Sequence, residues 1–256
     1  MFFIYNFLEK KNKIILFLTL VISIQLYCSD TTLSTVVEEI AELVNDKNIT
    51  RPVVSIAGCS GVGKTYFSKL LLAKLQEKKY KPQILETDRF LAPAPLEYIL
   101  EQSEFNNRVQ PNCPSPVWQF DHRKAQEVLT SVESGENIVQ VPRYDFENKI
   151  KKNVSVDFGD TNIILLEGTY ALTGPETYNL AQFGNLKIFL TAKPELLKGW
   201  YCKRKKANGI DNPEACPYTT WDFDEDYAKV IEPSQRNADL IIEQDRDRNY
   251  ILQEFE

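Results

Sequence analysis

The sequence predicts an α/β protein built on a parallel sheet with helices on both faces. Short apolar runs recur along the chain with helical stretches between most of them, the rhythm of strand, helix, strand. The first run feeds a glycine-rich turn that opens directly into a helical pattern. The chain has 256 residues, 43% of them hydrophobic and 26% charged, which suits a globular fold with a sizeable core rather than a disordered or fibrous chain.

Residues 1–30 stand apart from that rhythm. Lys10, Lys11 and Lys13 precede an apolar run from Ile14 to Cys28, broken only by Thr19, Ser23 and Gln25. The pattern reads as a signal-like or membrane-anchor segment, with a misassigned start as the alternative. The run is shorter than the roughly 18 to 20 residues that span a bilayer. Residues 31–256 then form the expected catalytic domain. Leu33, Val36, Val37, Ile40, Leu43 and Val44 fall at helical spacing, so 31–47 is expected to be an amphipathic helix on the core. Pro52 to Ala57 reads as a strand, and Phe67, Leu70, Leu71 and Leu75 mark the helix after the glycine turn. Further buried strands are expected at Gln83 to Leu85, Ile138 to Val141, Ile163 to Leu166, Leu186 to Leu190 and Leu240 to Ile242. Five prolines between Leu91 and Trp118 point to a loop over a pocket, and Asn208 to Thr220 is a second irregular stretch.

Charge and chemistry-bearing residues narrow the function classes. Lys and Arg total 30 against 36 Asp and Glu, a net charge of −6 that argues against a duplex-binding surface. No nucleic-acid partner is expected. The five cysteines include no C-x-x-C pair, and His122 is the only histidine, which leaves no zinc ribbon, disulfide framework or histidine-rich metal site.

Gly58-Cys59-Ser60-Gly61-Val62-Gly63-Lys64-Thr65 completes the P-loop pattern between a predicted strand and a predicted helix. Glycines let successive N–H groups and the helix N-terminus face a nucleotide's phosphates. Lys64 is expected at the β- and γ-phosphates and the Thr65 hydroxyl on Mg2+. The fold expectation is therefore a P-loop NTPase with a parallel sheet, flanking helices and a small lid. Asn148-Lys149-Ile150-Lys151 lacks the aspartate of a guanine-reading segment, so a small-molecule kinase fits better than a GTPase.

Six ordered motifs then resemble the uridine kinase and phosphoribulokinase family, which includes bacterial pantothenate kinases. After the P-loop come Thr87-Asp88-Arg89-Phe90-Leu91, Phe120-Asp121-His122, Pro142-Arg143-Tyr144-Asp145-Phe146 and Leu166-Glu167-Gly168. Ile231-Glu232-Pro233-Ser234 and Ala238-Asp239-Leu240-Ile241-Ile242 follow near the end. The resemblance implies ATP and Mg2+, with Asp88 as general base on the acceptor hydroxyl. It also implies Glu167 and Asp88 beside Thr65 as metal ligands, and Arg204, in the basic run Lys203 to Lys206, as the lid's phosphate-facing residue. Asp88 reads alternatively as a solvated loop carboxylate, Glu167 as a structural partner of the P-loop, and the basic run as a solvated helical face. On the acceptor side the resemblance implies Asp121, with helix N-cap as a compatible role, together with His122 and Tyr144, each of which also reads as a packed ring. Uridine kinases carry a histidine a few residues after Y-D-F; here Phe146 is followed by Glu147, Asn148 and Lys149. Arg143 and Lys149 instead suit a phosphate or carboxylate on the acceptor.

The expected function is phosphoryl transfer from ATP to a small-molecule hydroxyl, uridine or cytidine by motif count. Pantothenate, a sugar phosphate, or nucleotide binding without turnover are the alternatives. A homo-oligomer is compatible with the sequence. The expected location is the cytoplasm, with membrane association if 1–30 anchors the chain and export if that segment is a cleaved signal.

Overall fold

A computed structural model describes residues 31–93, 118–145, 150–207 and 222–253. The signal-like segment 1–30, the core of the proline-rich stretch and Asn208 to Thr220 lie outside the described residues.

The central sheet has six strands. In chain order they are β1 (Val53–Gly58), β2 (Pro82–Glu86), β7 (Ile163–Glu167), β8 (Leu186–Ala192), β9 (Leu240–Gln244) and β10 (Tyr250–Leu252). Their spatial order is β10-β9-β8-β1-β7-β2. The pairs β2·β7, β1·β7, β1·β8 and β8·β9 are parallel, and β10 returns antiparallel to β9. This is a five-stranded parallel core with one added strand. Every side chain of β1 and of β7 is buried, as a strand covered on both faces requires.

Helix α1 (31–45), helix α2 (Lys64–Glu77) and helix α4 (Pro194–Ala207) pack one face of the sheet, where Val36, Ile40, Phe67, Leu71 and Leu197 join Val54, Ile56 and Leu190. α1 is tied to the sheet edge by Thr32 Oγ1, which donates to the Tyr250 carbonyl at 3.0 Å. Helix α3 (His122–Glu133) covers the opposite face with Ala125, Val128, Leu129 and Val132.

One strand expectation changes. Ile138 to Val141 is buried on one side only: Ile138 is 63% exposed while Val139 and Val141 are buried. It belongs to β5 (Ile138–Asp145), which pairs with β6 (Ile150–Asp157) as a separate antiparallel hairpin outside the parallel sheet. A half-apolar, alternating strand suits a one-faced hairpin, whereas the parallel core takes continuous apolar runs. The proline-rich stretch begins and ends in another small pair, β3 (Leu91–Pro93) with β4 (Trp118–Phe120).

Arg51 holds the α3 side together. Its buried guanidinium donates from Nε to the Thr161 carbonyl, from Nη1 to those of Val132 and Glu136, and from Nη2 to that of Phe158. Asp239 fixes the β8·β9 register through a two-way exchange with the Lys187 backbone. Strand β1 has β7 on one side and β8 on the other, so the chain's crossovers reverse direction there. In open α/β sheets ligands bind outside the carboxyl ends of strands at such a reversal.

Candidate active site

The turn after β1 is shaped by glycines. Gly58, Gly61 and Gly63 adopt φ of 142°, 86° and 99°. A Cβ on Gly58 would stand 2.2 Å from the Leu190 carbonyl oxygen of β8, so no side chain fits where the loop leaves the sheet. Cys59 and Val62 point into the core, and Ser60 is half-buried. Gly63 caps α2 in the left-handed conformation without a side-chain hydrogen bond, leaving first-turn amides and the positive end of the helix facing outward.

Lys64 folds back into this loop. Its buried Nζ donates to the carbonyls of Gly58 and Cys59, each at 3.0 Å. Burial lowers its pKa, the charges of Glu167, Cys59 and Asp88 oppose that, and Arg204 adds to it. Thr65 Oγ1 donates to Glu167 Oε1 at 3.2 Å. Glu167 is a buried carboxylate at the tip of β7, its pKa raised by burial first, with Asp88 and Glu86 adding and with Lys64 and the Thr65 hydrogen bond opposing.

Asp88 is exposed on the 3-10 turn Thr87–Phe90 that follows β2. It lies near enough to bear electrostatically on both Lys64 and Glu167. Arg204 is exposed on α4, whose backbone at Tyr201 and Trp200 stands 3.4 and 3.6 Å from where a Gly61 Cβ would be. The fold thus gathers Lys64, Thr65, Asp88, Glu167 and Arg204 at one end of β1, β7 and β2.

The acceptor-side residues lie beside that cluster in part. Asp121 caps α3 by accepting from the Lys124 amide at 3.1 Å, and its own N–H donates to the Phe90 carbonyl at 3.0 Å, which ties it to the Asp88 turn. The helix-cap role is met. His122 stacks on Tyr178 at 5.6 Å between centroids. Arg143 is exposed on β5, a strand that lies against the Thr87–Phe90 turn. Tyr144 pairs with Lys151 through the backbone, and Lys149 is outside the described residues.

Three features escape motif reading. Tyr170 and Tyr178 meet at 5.2 Å and each packs 5.0 Å from Phe120, the chain neighbour of Asp121, forming an aromatic cluster. The Arg248 guanidinium stacks on the Trp200 ring at 3.3 Å and donates to Gln244 Oε1 at 2.9 Å and to the Gly61 carbonyl at 3.4 Å. The third is the Thr87 hydroxyl, buried and unpartnered. Thr87 stands in the motif ahead of Asp88, which assigned its hydroxyl no role, and Arg248 also left a trace in the sequence: Asp245 ahead of Arg248-Asn249 is a turn former, and its carboxylate accepts from Asp247 and Asn249.

The residues present fit a magnesium nucleotide. The Gly58 cradle excludes a side chain, the α2 amides suit phosphate, and the Thr65 hydroxyl with the Glu167 carboxylate offers hard oxygen donors to a cation that keeps several waters. Among the described residues no three His, Cys, Asp or Glu side chains make a self-sufficient metal cage. No helix among them is long and apolar enough to cross a membrane.

A family model described as phosphoribulokinase / uridine kinase family matches residues 53–250. The uridine kinase of Ureaplasma parvum serovar 3 is 26% identical over 197 residues, covering 74% of this chain and 86% of that protein. A pantothenate kinase of Corynebacterium efficiens is 28% identical over 158 residues, covering 59% of this chain and 45% of that one. In fold, D-glycerate 3-kinase from Cryptococcus neoformans aligns with a TM-score of 0.63 at 15% identity, covering 89% of this chain and 99% of that one.

Proposed function

We propose that this chain, which belongs to the phosphoribulokinase / uridine kinase family, transfers the γ-phosphoryl group of ATP to a small-molecule hydroxyl in a Mg2+-dependent reaction, with uridine or cytidine as the first acceptor. The observation that carries the proposal is the Thr65–Glu167 hydrogen bond beside buried Lys64 at the carboxyl edge of the sheet, with the charge of Asp88 bearing on both Lys64 and Glu167.

Phosphoryl transfer is chiefly positioning and charge stabilisation. The P-loop amides of 58–65 hold the phosphates, and Lys64 leaves its two carbonyl partners to meet phosphate oxygen. Mg2+, when bound there, would supply positive charge to offset that developing on the transferred group. Thr65 and Glu167 would hold that cation together with Asp88, whose charge already bears on Glu167. Exposed Asp88 takes the proton of the acceptor hydroxyl, a role suited to a carboxylate open to the incoming substrate. Arg204, a fork-shaped cation on α4, neutralises the transferring group from the other side. Asp121 and the aromatic rings of His122, Tyr170 and Tyr178 bind the acceptor, and the rings favour a planar base. The relative named uridine kinase supports this acceptor.

A pantothenate-like acid or sugar phosphate is the second reading. It rests on Arg143, exposed on the strand beside the Asp88 turn, with Lys149 four residues after the last residue of that strand in the sequence. ADP release by residues 31–256 with Mg-ATP should rise with one of uridine, cytidine, pantothenate or ribulose 5-phosphate. Asp88→Asn should reduce that rise by about 100-fold or more. A rise that survives Asp88→Asn would remove Asp88 from the chemistry, and nucleotide binding with no responsive acceptor would favour a binding module.

A further inference from the structure

Thr87 is 1% exposed, and its Oγ1 has no hydrogen-bond partner. It opens the turn that carries Asp88, and it presses against Gly168, the residue that follows Glu167. A Cβ on Gly168 would stand 1.6 Å from Thr87 Oγ1, so the hydroxyl occupies the space a side chain there would fill. The hydroxyl therefore sits between the backbones that carry the two acidic residues, on the β7 side of the turn.

A buried hydroxyl without a partner is costly, on the order of 1–3 kcal/mol, and valine would fill the same volume without that cost. The position instead holds a group able both to donate and to accept. Mg2+ keeps several of its waters when bound through one or two carboxylates, and those waters, with their oxygens on the metal, need acceptors for their O–H groups.

We propose that Thr87 is a positioning residue for the metal: its hydroxyl hydrogen-bonds a metal-bound water between Asp88 and Glu167 when the magnesium nucleotide is present. The proposal rests on the kinase reading of the same site. It predicts that the hydroxyl matters to Mg2+ and not to the fold.

The test measures thermal stabilisation of wild type, Thr87→Val and Thr87→Ser by the non-hydrolysable analogue AMP-PNP, titrated with Mg2+ or held in EDTA. The ligand-free Thr87→Val protein should melt at or above the wild-type temperature. It should need about tenfold more Mg2+ for half-maximal stabilisation, the loss of one hydrogen bond to a charged centre's ligand, and Thr87→Ser should restore the wild-type requirement. In EDTA the three proteins should respond alike. Equal Mg2+ requirements in wild type and Thr87→Val would overturn the proposal, as would a deficit already present in EDTA, which would place the hydroxyl on phosphate. If Thr87→Val fails to fold, Thr87→Cys, of similar size and weak hydrogen bonding, takes its place with the same expectation. A wild type that shows no Mg2+-dependent stabilisation would overturn the kinase reading itself, an outcome separate from the other two.

Discussion

Lys64 and Glu167 are ionisable groups held out of water, and burial drives each toward its neutral form. Each opposes that drive in the other, with Cys59 and Asp88 also acting on Lys64, and short polar contacts add to it: two loop carbonyls for Lys64, the Thr65 hydroxyl for Glu167. Such groups stabilise the ligand-free fold poorly and gain their worth when phosphate and cation arrive, since an uncompensated buried charge is expensive. Glu167→Gln separates these effects. The amide oxygen still accepts from Thr65, while the buried charge disappears. The ligand-free variant should melt somewhat lower than wild type, because buried Lys64 loses its leading counter-charge, and the Mg2+ concentration that half-saturates nucleotide-dependent stabilisation should rise about tenfold or more. A drop in ligand-free melting temperature with an unchanged Mg2+ requirement would make Glu167 a structural partner of the P-loop only, the alternative its sequence context leaves open.

The elements divide by how far their causes are local. Strands β1, β7 and β8 are near-continuous apolar runs, and α2 follows a complete phosphate-binding turn, so both their type and their place were legible. The helix cap at Asp121 was legible for the same reason, because a cap is set by three or four neighbours. The β5·β6 hairpin was not: a short apolar run reads alike in a buried strand and in one face of a hairpin, and its placement depends on partners far along the chain. Tyr170 and Tyr178, two of twelve tyrosines, gave no hint that tertiary packing brings them to Asp121 and His122. Nor did Arg51, a single charge beside a strand, signal that it joins the end of α3 to the far side of the hairpin. That joint can be measured. Arg51→Met keeps the apolar stem but strands four carbonyls, of which at least two are buried, and should cost on the order of 3 kcal/mol in urea unfolding. Amide exchange should quicken first in α3 and β6. A loss under about 1 kcal/mol would mean that water replaces the guanidinium without penalty.

At the scale of the whole molecule, two apolar layers lie on opposite faces of the sheet, and Tyr227 packs against both. It belongs to the π-helical segment Asp222–Ile231, and its hydroxyl bonds to Thr191 near the end of β8. Burial, with the charge of Glu232 and Cys59 added, pushes its pKa from 10.0 up to about 12, although the Thr191 hydrogen bond opposes the shift. Burial raises Tyr250, on the edge strand, in the same direction. The sign follows from linkage. The folded chain holds these phenolic protons where the unfolded chain has lost them, so the stability they lend is complete below pH 10 and drains away as pH climbs toward 12. Both layers should therefore loosen together at alkaline pH, since one ring spans them. Urea unfolding of wild type should lose stability between pH 10 and 12, and Tyr227→Phe should lose less across that interval, with Tyr227→Phe/Tyr250→Phe flatter still. If the single variant falls as steeply as wild type, the ring does not couple the layers through its proton, and alkaline unfolding begins elsewhere.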